Sequence, residues 1–400
     1  MKSVLLFLNL LLLFSFNLYS IENASKKSIV SEKVMQPGFR FNSGDNVEKE
    51  YDLSMGKNLE VDLEYGGSIS ITGWDKEKLN VKLLSKGSYK NYELNVENNS
   101  DGIKVTTEAL KLKHNHGNIE LEIKAPRKCN LNLNTNGGEV SIESIEGEIK
   151  GETKGGGLSL NNLKGKLNFT TMGGSIDLTN SSVDGEVTTM GGKINIEEVD
   201  GNIKGKSMGG AVTYKNVKNK KGESTGKTIV LSTMGGELEV DNAPGGADLN
   251  TMGGKIYVDK AQKFVKAKTM GGNIKIKEID GWVEATTMGG DVYVKLLDEL
   301  KSENHDVKLK SSGGDITLYI PDNFSMDVDI TLAYTKKSED EVDIISDFNI
   351  NKEKTKEWDT SQGSKRKYIY GKAKINGGKY KVVIETINGN VYLKKNNQVD

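Results

Sequence analysis

Thr-Met-Gly-Gly, or a near variant of it, returns along this chain at a fixed spacing. Methionines precede Gly-Gly at Met172, Met190, Met208, Met234, Met252, Met270 and Met288, and Asn136, Lys154 and Ser312 fill the same slot. From 136 to 208 every step is 18 residues; one step of 26 follows, then three of 18 and one of 24. The two long steps exceed 18 by 8 and 6 residues, and the excess falls in the polar stretches 216–227 and 298–306. Loops inserted into single coils of a repeat look like this. Such a period constrains the fold more than the 400-residue length does, because stacked repeats share one continuous core instead of building separate domains.

Each unit is ordered internally. Ile194, Ile196, Val199, Ile203, Gly205 and Ser207 share one side by parity, and the next full units repeat the pattern, as in Ile274, Ile276, Ile279, Val283, Ala285 and Thr287. Alternation at period two means strand with one face buried. Helical spacing of three and four is not sustained here. A strand pair this short cannot bury its apolar face alone. Stacked at ~4.8 Å per coil, each Ile gains a like neighbour above and below, and each fully buried Ile or Val contributes ~1.5–3 kcal/mol. Gly-Gly reads as a corner turning through φ > 0. A second turn is expected at Glu146-Gly147, Asp184-Gly185, Asp200-Gly201 and Asp280-Gly281.

The expectation is therefore an all-β chain: a single right-handed parallel β-solenoid (β-helix) with 18-residue coils, ~40 Å long by that spacing. Atypical β caps at both ends would keep its open edges from pairing with other chains. Residues 135–320 form the solenoid, 47–134 an N-terminal β entry or cap region and 321–400 a C-terminal β cap, both alternating without the 18-residue beat. Residues 21–46 read as a linker. Residues 1–20 read as a signal peptide: Lys2, an apolar run from Val4 to Phe16, and Ser20 as a cleavage point. That run is shorter than the ~20 residues of a bilayer span, and no second run of spanning length follows. The mature chain is expected to be exported and free of transmembrane spans, whether periplasmic, on the outer surface or secreted.

Composition excludes several functions. Basic and acidic residues balance, 55 against 56, and only Arg40, Arg127 and Arg366 are arginines. A dedicated nucleic-acid binder carries a basic excess, and bidentate recognition of phosphate or carboxylate favours Arg. No nucleic-acid partner is expected. The one cysteine, Cys129, sits in an alternating run and is expected buried.

Three places carry a family likeness: Tyr65-Gly66-Gly67-Ser68-Ile69-Ser70-Ile71 followed by Trp74-Asp75; Ala125-Pro126 leading into Leu131-Asn132-Leu133 and Gly137-Gly138; and Ile375-Asn376-Gly377-Gly378 with Ile384-Glu385-Thr386 and Asn388-Gly389-Asn390. In these the chain resembles the bacterial putative-adhesin family of short β-strand repeats, a group of exported proteins of unknown function. The resemblance implies export and a β-repeat fold over nearly the whole mature chain. The regular Met before Gly-Gly departs from the small polar residues more usual there.

Candidate chemistry is sparse. His114-Asn115-His116 could be a metal pair, but a solvated turn explains it, and His305 lies in an inserted loop. The residue after Gly-Gly varies from Glu139 to Asp291, so no calcium ladder of regular Asp follows. No catalytic residue, cofactor or metal site is assigned. Thr171, Thr189, Thr233, Thr251, Thr269 and Thr287 form an inward ladder explained by hydroxyl stacking. The seven methionines lie off the core by parity, either packed on one another or forming an apolar ridge for a partner; they are the one candidate binding site. The function expected is that of a non-catalytic exported binding or structural, adhesin-like module of the bacterial envelope, contacting an envelope protein or glycan. The alternatives are a self-associating filament or scaffold subunit and a glycan-active β-helix enzyme.

Overall fold

In a computed structural model, the described residues are 34–35, 39–40 and 47–396, except 87–91, 110–117, 216–227, 340 and 362. The expected leader, most of the 21–46 segment, and His114 and His116 lie outside them. Val34–Asp400 forms one unit.

The chain is all β, a β-solenoid of stacked coils. Each regular coil gives one strand before its Gly-Gly corner and one after it, such as Ser182–Thr189 and Ile194–Glu197. Each strand pairs in parallel with its counterparts in the coils on either side. The pre-corner strands make one face of the stack and the post-corner strands another, and the two join where Ile256–Lys268 and Ile274–Thr287 each run on unbroken from one to the other. Inward positions line up in columns. One column runs from Leu121 through Ile69, Val140, Leu158, Ile176, Ile194, Val212, Leu238, Ile256, Ile274, Val292, Ile316 and Val391 to Ile344, and every member is buried. Size is balanced between coils: a Cβ on inward Gly151 would press into the Phe169 ring one coil on, as close packing at interior density requires.

The column does not follow chain order at its ends. Segment 118–126 lies outside 68–74, which itself stacks on 140–143. At the other end 391–395 inserts between 316–320 and 344–346. Beyond these coils the pairing turns antiparallel, through 78–86 against 118–126 and 92–99 against 102–109 at one end, and 326–334 against 367–375 at the other. The outer strands Val47–Asp52 and Asn351–Lys354 are rich in charge, which discourages edge-to-edge pairing.

The corners turn for a different reason from the one expected. In the Met-bearing corners neither glycine has positive φ; within the Gly-Gly pairs of the repeat it occurs only at Gly138 (φ 92) and Gly156 (φ 44). The second glycine is needed because backbone lies on backbone. A Cβ on Gly272 would fall within 3.0 Å of the Gly254 carbonyl oxygen, closer than real Cβ atoms come. The same holds for the second glycine of every repeat corner, from Gly138 against Gly67 to Gly389 against Gly314. The first glycine is looser: a Cβ on Gly271 would sit 3.4 Å from the Gly253 oxygen. The inward Thr locks the stack. Thr189 Oγ1 donates to the Gly174 carbonyl at 2.8 Å and accepts from the Gly192 amide at 3.1 Å. Thr269 repeats this with Gly254 at 2.8 Å and Gly272 at 3.3 Å. The Thr ladder is thus accounted for inside the corner, by hydroxyls bonded to glycine backbone rather than stacked on one another.

The second turn also shifts. Among non-glycine residues, left-handed backbone occurs at Ser144 (φ 60), Asn162 (φ 53), Asn180 (φ 49) and Glu198 (φ 53) in four successive coils, and positive φ recurs a few residues on at Gly165, Gly185 and Gly201. Glu146-Gly147, Asp184-Gly185 and Asp280-Gly281 lie inside strands, whereas Asp200-Gly201 falls between strands with Gly201 at φ 139, as expected. Asn tolerates this conformation through local hydrogen bonding, and here Asn162 Nδ2 reaches Ser144 Oγ at 2.8 Å.

Candidate binding face

The outward side chains of the two sheets differ. On the pre-corner sheet one column reads Lys150, Asn168, Glu186, Lys204, Val230, Asp248, Lys266, Glu284, Lys308. Signs alternate, and several charges meet across coils: Lys206 with Glu186 at 2.8 Å, Lys308 with Glu284 at 3.5 Å and Lys310 with Glu385 at 2.7 Å. Exposed pairs of this kind contribute ~0–1 kcal/mol each. They neutralise the sheet rather than offering it to a ligand.

The post-corner sheet changes character along its length. Its outward column begins Ser70, Ser141, Ser159, Asp177, Asn195, Thr213, Glu239 and continues Tyr257, Lys275, Tyr293, Thr317, Tyr392, Ile345. In the neighbouring column Lys295, Tyr319 and Lys394 lie side by side. Tyr257, Tyr293, Tyr319 and Tyr392 are half-buried against the sheet, Lys275 and Lys277 are exposed, and Ile345 is one of the few exposed large apolar residues.

These side chains touch. The Tyr293 and Tyr319 rings lie 5.5 Å apart at 44°. Lys275 Nζ stands 5.3 Å from the Tyr293 centroid and Lys277 Nζ 5.7 Å from that of Tyr257, within cation–π range. Lys277 also bonds Asp259 at 2.8 Å, and Tyr257 donates to Asp259 at 3.1 Å. The Lys277 hydrogen bond is the main reason Asp259 sits below its ordinary pKa, and the Asp259 bond the main reason Lys277 sits above its own. Burial, then the neighbouring Tyr319, raises Tyr293. Among the described residues Lys275 and Lys295 are paired with no carboxylate. Backbone ladders hold the patch on both sides, so its geometry is set before any ligand arrives.

The methionine slot lies where the sheets meet. Met172, Met190, Met234, Met252 and Met288 are 37–53% exposed, while Met208 and Met270 are half-buried. Their backbones stack, with the Met270 amide on the Met252 carbonyl at 3.0 Å. The seven stand in one row along the corner.

Other candidates resolve into structure. His305 is buried, and its Nε2 lies 2.9 Å from Asp280 Oδ1. Asp280 also accepts the Lys301 and Ser302 amides at 3.0 and 3.1 Å, pinning the inserted loop to its coil. Burial raises the Asp280 pKa, but these hydrogen bonds outweigh it and leave it lowered. The polar residues after Gly-Gly cap the next coil: Asn273 Oδ1 accepts the Asp291 amide at 3.0 Å, and Asp291 Oδ1 that of Asp315 at 2.9 Å. Among the described residues no group of three or more His, Cys, Asp or Glu is placed to hold a metal ion, and no helix is long and apolar enough to cross a membrane. Cys129 is free and buried, its pKa pushed up to about 12 by desolvation.

The Tyr–Lys patch lies on outward positions, which the inward periodicity that marks the strands does not show. The signal was the residue between the paired inward ones, x in Ile-x-Ile, which runs Ser, Asp, Asn, Thr, Glu and then Tyr, Lys, Tyr.

The chain matches the family described as Toastrack DUF4097 over residues 41–226 and again over 188–394. It belongs to this family. The two overlapping matches place nearly all of the stack and both capped ends within Toastrack DUF4097 sequence, in agreement with the adhesin-like resemblance. No curated protein matches the chain. Among solved structures it is similar to a putative cell adhesion protein of Clostridium sporogenes, at 11% identity over 88% of this chain and 100% of that one, with a TM-score of 0.17. A putative adhesin of Bacteroides fragilis shares 14% identity over 64% of this chain and 99% of its own, with a TM-score of 0.29. A putative lipid binding protein of Parabacteroides distasonis shares 14% over 64% and 98%, with a TM-score of 0.31. Likeness at that level says nothing of what this Toastrack DUF4097 protein binds.

Proposed function

We propose that this protein is a non-catalytic, exported binding module of the bacterial cell envelope, in which the solenoid holds a rigid array of side chains toward an envelope protein or glycan. The reading rests on one observation, the Tyr–Lys patch of the post-corner sheet. The residues that build the fold face inward, and an outward patch of aromatic rings and lysines is not needed for stacking. Aromatic side chains exposed in a contiguous group favour interaction sites. The N-terminal apolar run supports export. The methionine corner is a second candidate surface, since five of its members keep 37–53% of their surface exposed.

The test is retention. Immobilised protein lacking residues 1–20 is exposed to an envelope fraction from the producing cells, beside a variant with Tyr257, Tyr293 and Tyr319 changed to Ser. Retention by the first and loss in the second is expected. Equal retention by both, or none by either, would contradict the reading.

A further inference from the structure

We infer that the Tyr–Lys patch takes an acidic polysaccharide, a linear glycan bearing carboxylates, laid along the stacking direction. This rests on the envelope-binding reading and adds the ligand class.

Successive coils repeat at ~4.8 Å, so Tyr257, Lys275 and Tyr293 sit on three adjacent coils in one outward column. A repeating row suits a repeating ligand better than a compact one. The patch has no walls: it is the flat outside of a sheet, and rings lying half-buried on it offer apolar faces against which the C–H faces of sugar rings can rest. The Tyr257 hydroxyl is taken by Asp259, while those of Tyr293 and Tyr319 can reach hydroxyl-rich partners.

Charge then selects among polymers. Lys275 and Lys295 have no carboxylate partner among the described residues, and Lys277 shares Asp259. The patch is a local cationic excess on a chain of net charge −1. Lysine offers a mobile point charge rather than a fixed fork, which suits carboxylates spaced along a flexible glycan. A nucleic acid carries one charge per ~3.4 Å of strand. Continued along the same column it would meet Glu239 beside Tyr257, with Asp259 close by, so the dense phosphate chain is disfavoured. The pre-corner sheet also carries a ring pair, Phe264 stacked on Trp282 at 5.0 Å, but its lysines alternate with acids in the same outward column.

The experiment is affinity electrophoresis of the protein lacking residues 1–20 through gels holding polygalacturonate, hyaluronate, dextran or oligothymidylate. The comparison protein carries Lys275→Ala and Tyr293→Ala, and its far-UV spectrum and urea midpoint are checked against wild type. Retardation by polygalacturonate or hyaluronate and not by dextran is expected, reduced at least tenfold in the variant and weakened by added salt, as screened charge contacts are. Equal retardation of wild type and variant, or by dextran, overturns the inference. Stronger retardation by oligothymidylate replaces it with a nucleic-acid ligand. Retention of envelope material without retardation by either acidic glycan overturns the ligand class and leaves the envelope-binding reading standing.

Discussion

The two sheets of this solenoid share one register and one kind of interior, yet their outer surfaces differ. Inside, both are columns of buried aliphatic residues, with a Thr or Ser hydroxyl relay at the corners from Thr171 to Ser311. Outside, the pre-corner sheet alternates Lys with acids, several of them paired across coils. The post-corner sheet passes from small polar residues to tyrosines and lysines. Because strand side chains alternate, the positions that specify stacking and those that face solvent are separate sets. Stacking therefore leaves the outer columns free, and one end of one outer face carries a composition that stacking does not explain.

Neighbouring residues of one strand put this separation to the hardest test. Ile276 is buried between Val258 and Val294, and Ile276→Asp should cost more than ~4 kcal/mol through a buried unpaired charge. Lys275→Asp, one residue away and pointing out, should stay within ~0.5 kcal/mol. Urea unfolding of both checks this, and a near-wild-type midpoint for Ile276→Asp would refute the inward register.

The corner offers a smaller contrast of the same kind. Gly272→Ala drives a Cβ into the Gly254 carbonyl, while Gly271→Ala meets its nearest atom at 3.4 Å. The first should cost about 3 kcal/mol or more, the second less than about 1 kcal/mol. Equal costs would show that the pair acts through backbone freedom and not through the close approach of coils.

The methionines stand between the two regimes. Met252 is 45% exposed and Met270 half-buried. Replacing both with Ser should lower stability by ~1 kcal/mol if they pack on one another, with envelope retention unchanged. An unmoved melting curve with lost retention would make the corner the binding site in place of the Tyr–Lys patch.

Much of this was legible in the sequence. The 18-residue period, the inward parity and the buried Cys129 follow from spacing and alternation alone. The role of the second glycine was not, because a close approach between coils depends on how they stack, and sequence shows only that glycine recurs. The end coils were hidden for a related reason. Leu121 lies beside Ile69, and Val391 beside Ile316, through insertions that break the beat while keeping the column. Tyr65-Gly66-Gly67 and Asn388-Gly389 belong to the corner column at its two ends, but only stacking reveals that Gly138 rests on Gly67 and Gly389 on Gly314. The Tyr–Lys patch needed no structure to be seen, only attention to the outward positions.

The central claim is that inward residues make the stack and the outward Tyr–Lys residues make the contact. It is tested most directly on one variant carrying Lys275→Ser and Tyr293→Ser, measured for both urea midpoint and retention of envelope material. The account predicts stability within about 1 kcal/mol of wild type together with loss of retention. A collapsed midpoint, or unchanged retention at unchanged stability, would contradict it.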